Sequence, residues 1–565
     1  MNPSAAVDRE VDREMDAPPE HAAKLCEQDG GGRAGFLDIW LNDHLTYFVL
    51  ATVAVAFVAR VVVASRSYLN PDEAFLYAMF NRPSVFLAYK AGQSLAHPPL
   101  FYFLLYYWHL LGRSELMLRL PSVVLGTALS WVTYKWVGSL FGKAASLISL
   151  IFSAFCPALI ALSAEVRQYV LLLFCVVTSL YFLDRAFQEK SVQKMVYFTA
   201  FLYLAILSHY SAFFFVVATG CYCLLRIVDS HLPLKVVTVW AAGQFGAIGI
   251  YAFLYVTQMR KLKGNLAIWG LDFDQAYFRS YRDNIVDFTQ GHVREFFGYL
   301  FAQSYVSAAM LLLFLAGAAF FFFRDLISRR PQANCRLGML LVLPFVALWG
   351  AAIAGIYPFA ANRYSVVLVP SLIAGASFAL AAISRQKLWA AALLAATLMG
   401  VSNLYGYPTE TGFTVENQRR ELMAAALNHV RQSIPRSDRI LVDYQSSLPL
   451  AYYLCPAETV SVDRSRMDFD QFSCNGYSIV SLRFWKLRGE VLPSVFEKLV
   501  RAYGLKPGDR VWVFQAGWGG NMVADLPKDF PQFRCLAPKE FGANISVIQF
   551  VVGPDLSPIP LLKSC

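Results

Sequence analysis

The chain has 565 residues, 57% hydrophobic, 15% aromatic and only 16% charged, with a mean hydropathy of +0.45. Soluble globular chains carry roughly 25% charged residues, so this composition excludes disorder, collagen, coiled coil, a small disulfide scaffold and a soluble multidomain enzyme. It is the composition of a polytopic membrane protein. The net charge of +10 does not point to nucleic acid, because the basic residues sit in short loops between apolar runs, where they determine topology.

Charge is unevenly spread: 14 charged residues fall in 1–44 and 34 in 410–565. This divides the chain into a polar tail (1–44), a membrane body (45–409) and a water-soluble domain (410–565). The tail mixes both charge signs, reaches three consecutive glycines at 30–32 and has neither the basic start nor the apolar centre of a signal peptide. It reads as disordered and cytoplasmic.

Apolar runs of the length a bilayer requires occur near 45–65, 117–137, 143–162, 167–185, 193–208, 210–227, 234–256, 300–323, 337–357, 364–383 and 387–405. Lipid offers no hydrogen-bond partners, so each run must be helical, giving about eleven spans. With the N-terminus inside, the even-numbered gaps hold Lys135 and Lys143; Arg185, Lys190 and Lys194; Arg226 and Lys235; Arg324, Arg329, Arg330 and Arg336; and Arg385 and Lys387. All five are basic, as cytoplasmic loops should be, and an odd number of spans places 410–565 outside. His97–Gly112, apolar but too short to span comfortably, reads as an interfacial helix within a large first external loop, 66–116.

The opposite loops carry Asn70-Pro71-Asp72-Glu73, Glu165-Val166-Arg167-Gln168-Tyr169, Ser208-His209-Tyr210 and Asn362-Arg363-Tyr364. Acids, histidine and arginine–tyrosine pairs thus gather on the extracytoplasmic face. Asp72 and Glu73 suit a general base or a pair of metal ligands, and equally the acidic first turn of a helix opened by Pro71. His97, held extended before Pro98, is a phosphate ligand or a bystander, and Lys90 binds phosphate or snorkels. Glu165, Arg167 and Tyr169 form either a salt-bridged helix cap or an arginine fork for phosphate oxygens with tyrosine as a second donor; Arg363-Tyr364 repeats that theme. Arg60 lies within the first span, where a charge must be paired or snorkel and is a functional candidate. In the long loop 257–299, Trp269, Asp272 and His292 are left without a role.

There is no GxxxxGK[ST], no GxGxxG opening a helix after a strand and no HExxH. A rival reading is a polytopic transporter or flippase of lipid-linked substrates, which would show internal repeats and interrupted helices with polar sites near the midplane. The polar residues here cluster at one face instead.

The ordered segments NPDEAFLY, HPPLFYFLL, SELMLRLPS, SAEVRQYVLLL, SHYSAFFF and NRYSVVLVP resemble the GT-C superfamily of membrane glycosyltransferases, over about 45–405. The similarity is to the bacterial aminoarabinose transferases and protein O-mannosyltransferase-like proteins, families 39 and 83. The resemblance implies a GT-C fold of about eleven transmembrane helices with a C-terminal extracytoplasmic α/β domain. It implies an enzyme that moves a sugar from a polyprenyl-phosphate donor to a lipid, glycan or protein at the outer face of a bacterial inner membrane. Asp72, with Glu73 beside it, takes the position of the family's catalytic or metal-binding acid, and Tyr77 that of a tyrosine near the acids. Lys90, His97, Arg167, Tyr169, Arg363 and Tyr364 become candidates for the donor phosphate, with Arg60, Glu165, His209 and Tyr210 as further site candidates. The aminoarabinose transferases read Glu-Lys-Pro-Pro-Leu where this chain has Ala96-His97-Pro98-Pro99-Leu100, so the metal-binding acid is missing; a divalent metal is compatible with the acids but not required.

Beyond 410 the pattern becomes soluble α/β: Val415–Ser433 reads as an amphipathic helix and Arg439–Tyr444, Arg510–Gln515 and Asn544–Val552 as strands. Nothing in it has a catalytic signature, which suits a structural lid. Cys455, Cys474, Cys535 and Cys565 lie where an oxidising compartment permits one or two disulfides, whereas Cys156, Cys175, Cys221 and Cys223 read as packing residues in spans.

Overall fold

The structure, a computed structural model, describes residues 36–93, 97–229, 232–260, 274–327, 336–404, 418–455, 469–482, 492–517, 533–536, 538–542 and 544–554. Most of the tail, loop residues Arg329 and Arg330, Trp269 and Asp272, residues 415–417 of the expected helix, and Cys565 lie outside the described residues. The chain forms two compact units. The first comprises Met1–Arg60, Leu95–Leu100 and Pro121–Pro408; the second comprises Val61–Ser94, Phe101–Leu120 and Thr409–Cys565.

Every one of the eleven apolar runs contains helix. Among the described residues seven helices are long and apolar enough to cross a membrane: Leu45–Arg66, Glu115–Phe141, Tyr169–Gln188, Ala212–Asp229, Leu234–Met259, Ser304–Arg324 and Arg363–Ile383. The first, with 22 residues, is about 33 Å long, matching a hydrocarbon core of about 30 Å. Val192–Ser208, Leu337–Ile353 and Leu388–Asn403 are shorter apolar helices, as is Leu100–Leu111 within the stretch expected at the interface.

The remaining run is bent by 55° between Lys143–Phe155 and Pro157–Ser163. Pro157 has no N–H, so the carbonyl of Ser153 loses its helical partner. Arg60 replaces it: Nη2 donates to Ser153 O at 3.0 Å, Nη1 to Ala154 O at 2.9 Å, and Nε to Ser163 Oγ at 3.2 Å. Gly126 permits this approach, since a Cβ there would lie 2.0 Å from Ser163 Oγ. Arg60 is fully buried, and its charge is spread over the carbonyls of Ser153, Ala154 and Ala56. Interrupted helices of transporters direct freed carbonyls at an ion or substrate; here an arginine of the same unit takes them.

In the second unit, the described residues form a mixed seven-stranded sheet from β1 (Arg439–Val442), β2 (Phe469–Cys474), β3 (Tyr477–Leu482), β4 (Arg510–Ala516), β5 (Phe533–Cys535), β6 (Lys539–Glu540) and β7 (Ile545–Val552). The order is β2-β3-β1-β4-β7-β5, with β6 also paired to β7, and β1 runs parallel to β3 and β4. Strand residues alternate between two cores. Ile440, Val442, Phe514 and Val547 pack with Met423 and Val430 of helix Arg420–Ser433, while Leu441, Val513 and Ile548 pack with Phe496 and Leu499 of helix Leu492–Tyr503. Burial on both faces explains why these strands read as near-continuous apolar runs. Tyr68, from the chain just after the first long helix, belongs to the first of these cores. A Cys455–Cys474 disulfide, with Cα atoms 5.6 Å apart, ties the end of helix Tyr444–Leu454 to β2. Among the described residues Cys535 has no disulfide partner, and Cys221 is exposed rather than packed.

Candidate functional site

Asp72 and Glu73 lie in the first turn of helix Pro71–Phe80, whose N-cap is Asn70. Asn70 Oδ1 accepts from the Glu73 N–H at 2.9 Å and Glu73 Oε2 accepts from the Asn70 N–H at 3.0 Å, a complete capping box. The same carboxylate takes a two-point ion pair from Arg119, Nε to Oε1 at 2.8 Å and Nη2 to Oε2 at 2.6 Å. Arg119 also donates to the carbonyls of Ala64, Ser67 and Tyr68 at 2.7–2.8 Å. Both side chains are buried. The expectation that Glu73 shares the chemistry with Asp72 therefore meets a physical obstacle: its oxygens already hold the loop. Asp72 is half-buried and stands outside the capping box.

Helix Tyr444–Leu454 supports this segment from the C-terminal part of the same unit. Tyr453 Oη accepts from the Leu69 N–H at 2.8 Å and donates to Glu115, which also pairs with Arg420 at 2.9 Å. Burial, reinforced by Glu115, pushes the Tyr453 hydroxyl far up, so it remains a donor. Tyr452 donates to Arg113 O at 2.7 Å and its ring meets that of Tyr77 edge-on at 5.0 Å. Gly517, in left-handed backbone at φ +111°, lies so near Pro71 that an added Cβ would sit 2.2 Å from Pro71 Cγ. The domain read as a lid is thus one packed unit with the acidic loop. Lys90 is exposed on helix Val85–Gly92 of this unit.

The first unit brings four sequence-distant motifs together. His97 stands 5.3 Å, ring centroid to centroid, from His209 and 6.3 Å from Tyr169; Tyr169 lies 5.2 Å from His209 and 6.3 Å from Tyr364. The Arg363 guanidinium is 5.7 Å from the Tyr169 ring centre and 5.9 Å from that of Tyr364, at cation–π range. Local rules set each residue in place: Pro98 keeps His97 extended, His209 ends helix Val192–Ser208, and Asn362 caps the 3-10 turn Arg363–Leu368 by accepting from the Tyr364 N–H at 3.0 Å. Arg167 is buried two residues before Tyr169, and its carbonyl accepts from Ser122. Glu165 is half-buried in the preceding turn. Tyr210 donates to Gln258 Oε1 at 2.9 Å, on a π-helical turn at Tyr255–Met259. His209 is held down at about 3 by burial and by Arg363.

Several of these residues carried no role in the sequence. Arg119 and Glu115 were legible as charges at the start of an apolar run, the same signal that singled out Arg60. Tyr453 was not, since it lies 338 residues from Glu115. Arg60 and Glu73 both prove to have their polar atoms engaged by the scaffold. Among the described residues no group of three or more His, Cys, Asp or Glu could hold a metal ion. With Glu73 committed to Arg119, the acid pair does not fit a metal as two ligands, and no step below is routed through one.

Residues 96–255 match the family described as dolichyl-phosphate-mannose-protein mannosyltransferase. No curated protein matches the chain in sequence. Its fold is similar to that of ArnT from Cupriavidus metallidurans, in the crystal structure bound to undecaprenyl phosphate (TM-score 0.51, 15% identity, covering 89% of this chain and 98% of that one). The apo state of the same protein gives a TM-score of 0.50 at 13% identity, with the same coverage of both chains. An oligosaccharyltransferase from Archaeoglobus fulgidus, tethered with an acceptor peptide, aligns with a TM-score of 0.44 at 11% identity, covering 72% of this chain and 63% of that one.

Proposed function

We propose that this chain, a multi-pass membrane protein whose residues 96–255 match the mannosyltransferase family and whose fold is similar to that of ArnT, transfers a sugar from a polyprenyl phosphate to a hydroxyl of a lipid, glycan or protein. We place this reaction at the extracytoplasmic face of a bacterial inner membrane, with the N-terminus inside and residues 410–565 outside, from the alternation of basic and acidic loops. The observation that carries the reading is the convergence of His97, Tyr169, His209, Arg363 and Tyr364 in one cluster. Cationic, donor-rich and aromatic, it has the chemistry of a phosphate site beside an apolar chain.

In this scheme Asp72 accepts the proton of the acceptor hydroxyl as that oxygen attacks the anomeric carbon. The bond from the anomeric carbon to the phosphate oxygen breaks with its electron pair on phosphate, a good leaving group that needs no strong acid. Arg167, Arg363, His97 and Lys90 are the candidates to neutralise the departing charge, with Tyr169 and Tyr364 as further donors. One displacement inverts the anomeric configuration. Glu73, Arg119 and Tyr453 act as positioning residues that hold Asp72.

The test is sugar transfer by membranes containing wild type or Asp72→Asn, with a panel of radiolabelled polyprenyl-phosphate sugars. Wild type should transfer one of them with inversion, and Asp72→Asn should fall about 10²–10⁴-fold at unchanged abundance. A product of retained configuration, or full activity of the variant, overturns the scheme.

A further inference from the structure

His209 is 1% exposed and lies at the centre of the cluster just described. Its Nδ1 is 2.8 Å from Ser211 Oγ and accepts the backbone N–H of Ser211 at 3.1 Å. A backbone N–H can only donate, so Nδ1 must present its lone pair, and the proton of the neutral ring resides on Nε2. That Nε2 is buried and has no hydrogen-bond partner among the described residues. A buried donor without an acceptor is costly, and native structures avoid one unless something else supplies the acceptor.

Resting on the reading of this cluster as the donor-phosphate site, we infer that His209 is a tautomer-locked, neutral donor whose Nε2–H is reserved for a phosphate oxygen of the polyprenyl-phosphate substrate. The locked tautomer decides the ligand class. An Nε2–H has no lone pair, which excludes a metal ion there and demands an oxygen acceptor. The surroundings select an anionic one: Arg363 stacks on Tyr169 and Tyr364, and the ring of His97 lies 5.3 Å away. Burial and then Arg363 keep His209 uncharged, so it adds a donor without a proton to lose in the reaction, and it serves as neither general acid nor general base.

Two substitutions separate the donor from the ring's bulk. His209→Gln places an amide nitrogen near the position of Nε2 and can donate; His209→Asn reaches only as far as Nδ1, keeping the Ser211 contact and losing the distal donor. The full-length protein in lipid nanodiscs is measured for binding of undecaprenyl phosphate, which carries no sugar, and for sugar transfer. We expect His209→Asn to bind undecaprenyl phosphate about tenfold more weakly or worse, with the donor KM rising in step, and His209→Gln to remain close to wild type. Unchanged binding in His209→Asn overturns the inference, as does equal loss in both variants, which marks a packing role. A defect confined to the sugar-bearing donor, with undecaprenyl phosphate bound normally, also overturns it and moves the contact to the sugar. Failure of wild type to bind undecaprenyl phosphate sinks the phosphate-site reading itself, whereas normal wild-type binding with unaffected variants sinks only the role of His209.

Discussion

Arg119 and Glu73 form a buried, two-point ion pair, 2.8 Å between Nε and Oε1 and 2.6 Å between Nη2 and Oε2. The arginine adds three carbonyls of residues 64–68 to this pair, and the carboxylate adds the N-cap of helix Pro71–Phe80. One interaction thus sets where the chain leaves its first long helix and where Asp72 begins the next.

Removing one member of such a pair strands the other. Arg119→Ala should lower stability by about 3–5 kcal/mol, seen as a large drop in the unfolding midpoint in detergent. Glu73→Gln retains an oxygen for the capping box and should cost less. If Glu73→Gln abolishes transfer without lowering the midpoint, Glu73 takes part in the chemistry and its positioning role is wrong.

Arg60 closes the bend at Pro157, so Arg60→Ala should leave the Ser153 and Ala154 carbonyls without their side-chain donors, at about 1–3 kcal/mol each. Gly126→Ala should be destabilising for a different reason, the 2.0 Å approach to Ser163 Oγ. Thermal midpoints of the two variants check this, and residual transfer activity per folded molecule should match wild type. A specific loss of activity in a fully stable Arg60→Ala would return Arg60 to the functional residues.

The C-terminal domain should influence turnover more than donor binding. Tyr453→Phe removes the acceptor for Leu69 N–H and the donor to Glu115, an effect of about 1–3 kcal/mol on the loop's support. Gly517→Ala forces a Cβ against Pro71. Both should reduce kcat while undecaprenyl-phosphate affinity is maintained. Replacing Cys455 and Cys474 by serine opens a link across 19 residues and should cost about 3 kcal/mol.

A pH series tests the environment of His209. Its ordinary value is 6.5 and its folded value is about 3, lowered first by burial and then by Arg363. Between these values the unfolded chain binds the proton and the folded chain does not. The contribution is therefore complete above pH 6.5 and is lost as pH falls towards 3. Unfolding midpoints of wild type should decline over that window, and His209→Gln should flatten part of the decline.

Periodicity and composition were sufficient for much of the architecture. Eleven apolar runs can satisfy their backbone in lipid only as helices, and RILV, RVWVFQ and NISVIQFVV could hardly be other than buried strands. That the candidate motifs lie at helix ends was equally legible, because charge is costly in hydrocarbon and so collects there. Which loop residues meet was not. His97, Tyr169, His209 and Tyr364 are separated by 40 to 267 positions and share no local signal; the cluster exists because four helix ends converge.

Chemistry that depends on partners also lay beyond the sequence. Asp72 and Glu73 are adjacent acids with the same intrinsic acidity class, and locally only the spacing from Asn70 separates them, by giving Glu73 the capping-box position. Arg119, 46 positions away, completes the distinction by occupying that carboxylate. Arg60 was legible as an anomaly, but whether it served a substrate or a broken helix depended on where Ser153 and Ala154 came to rest. Tyr453 had no anomaly to display at all. The sequence by itself determined the solvent each segment needs, since hydrophobic and hydrogen-bonding free energies are local properties of residue type and spacing. Only the tertiary structure decided which polar groups are already satisfied and which await a ligand, because that is a property of neighbours brought together across the chain.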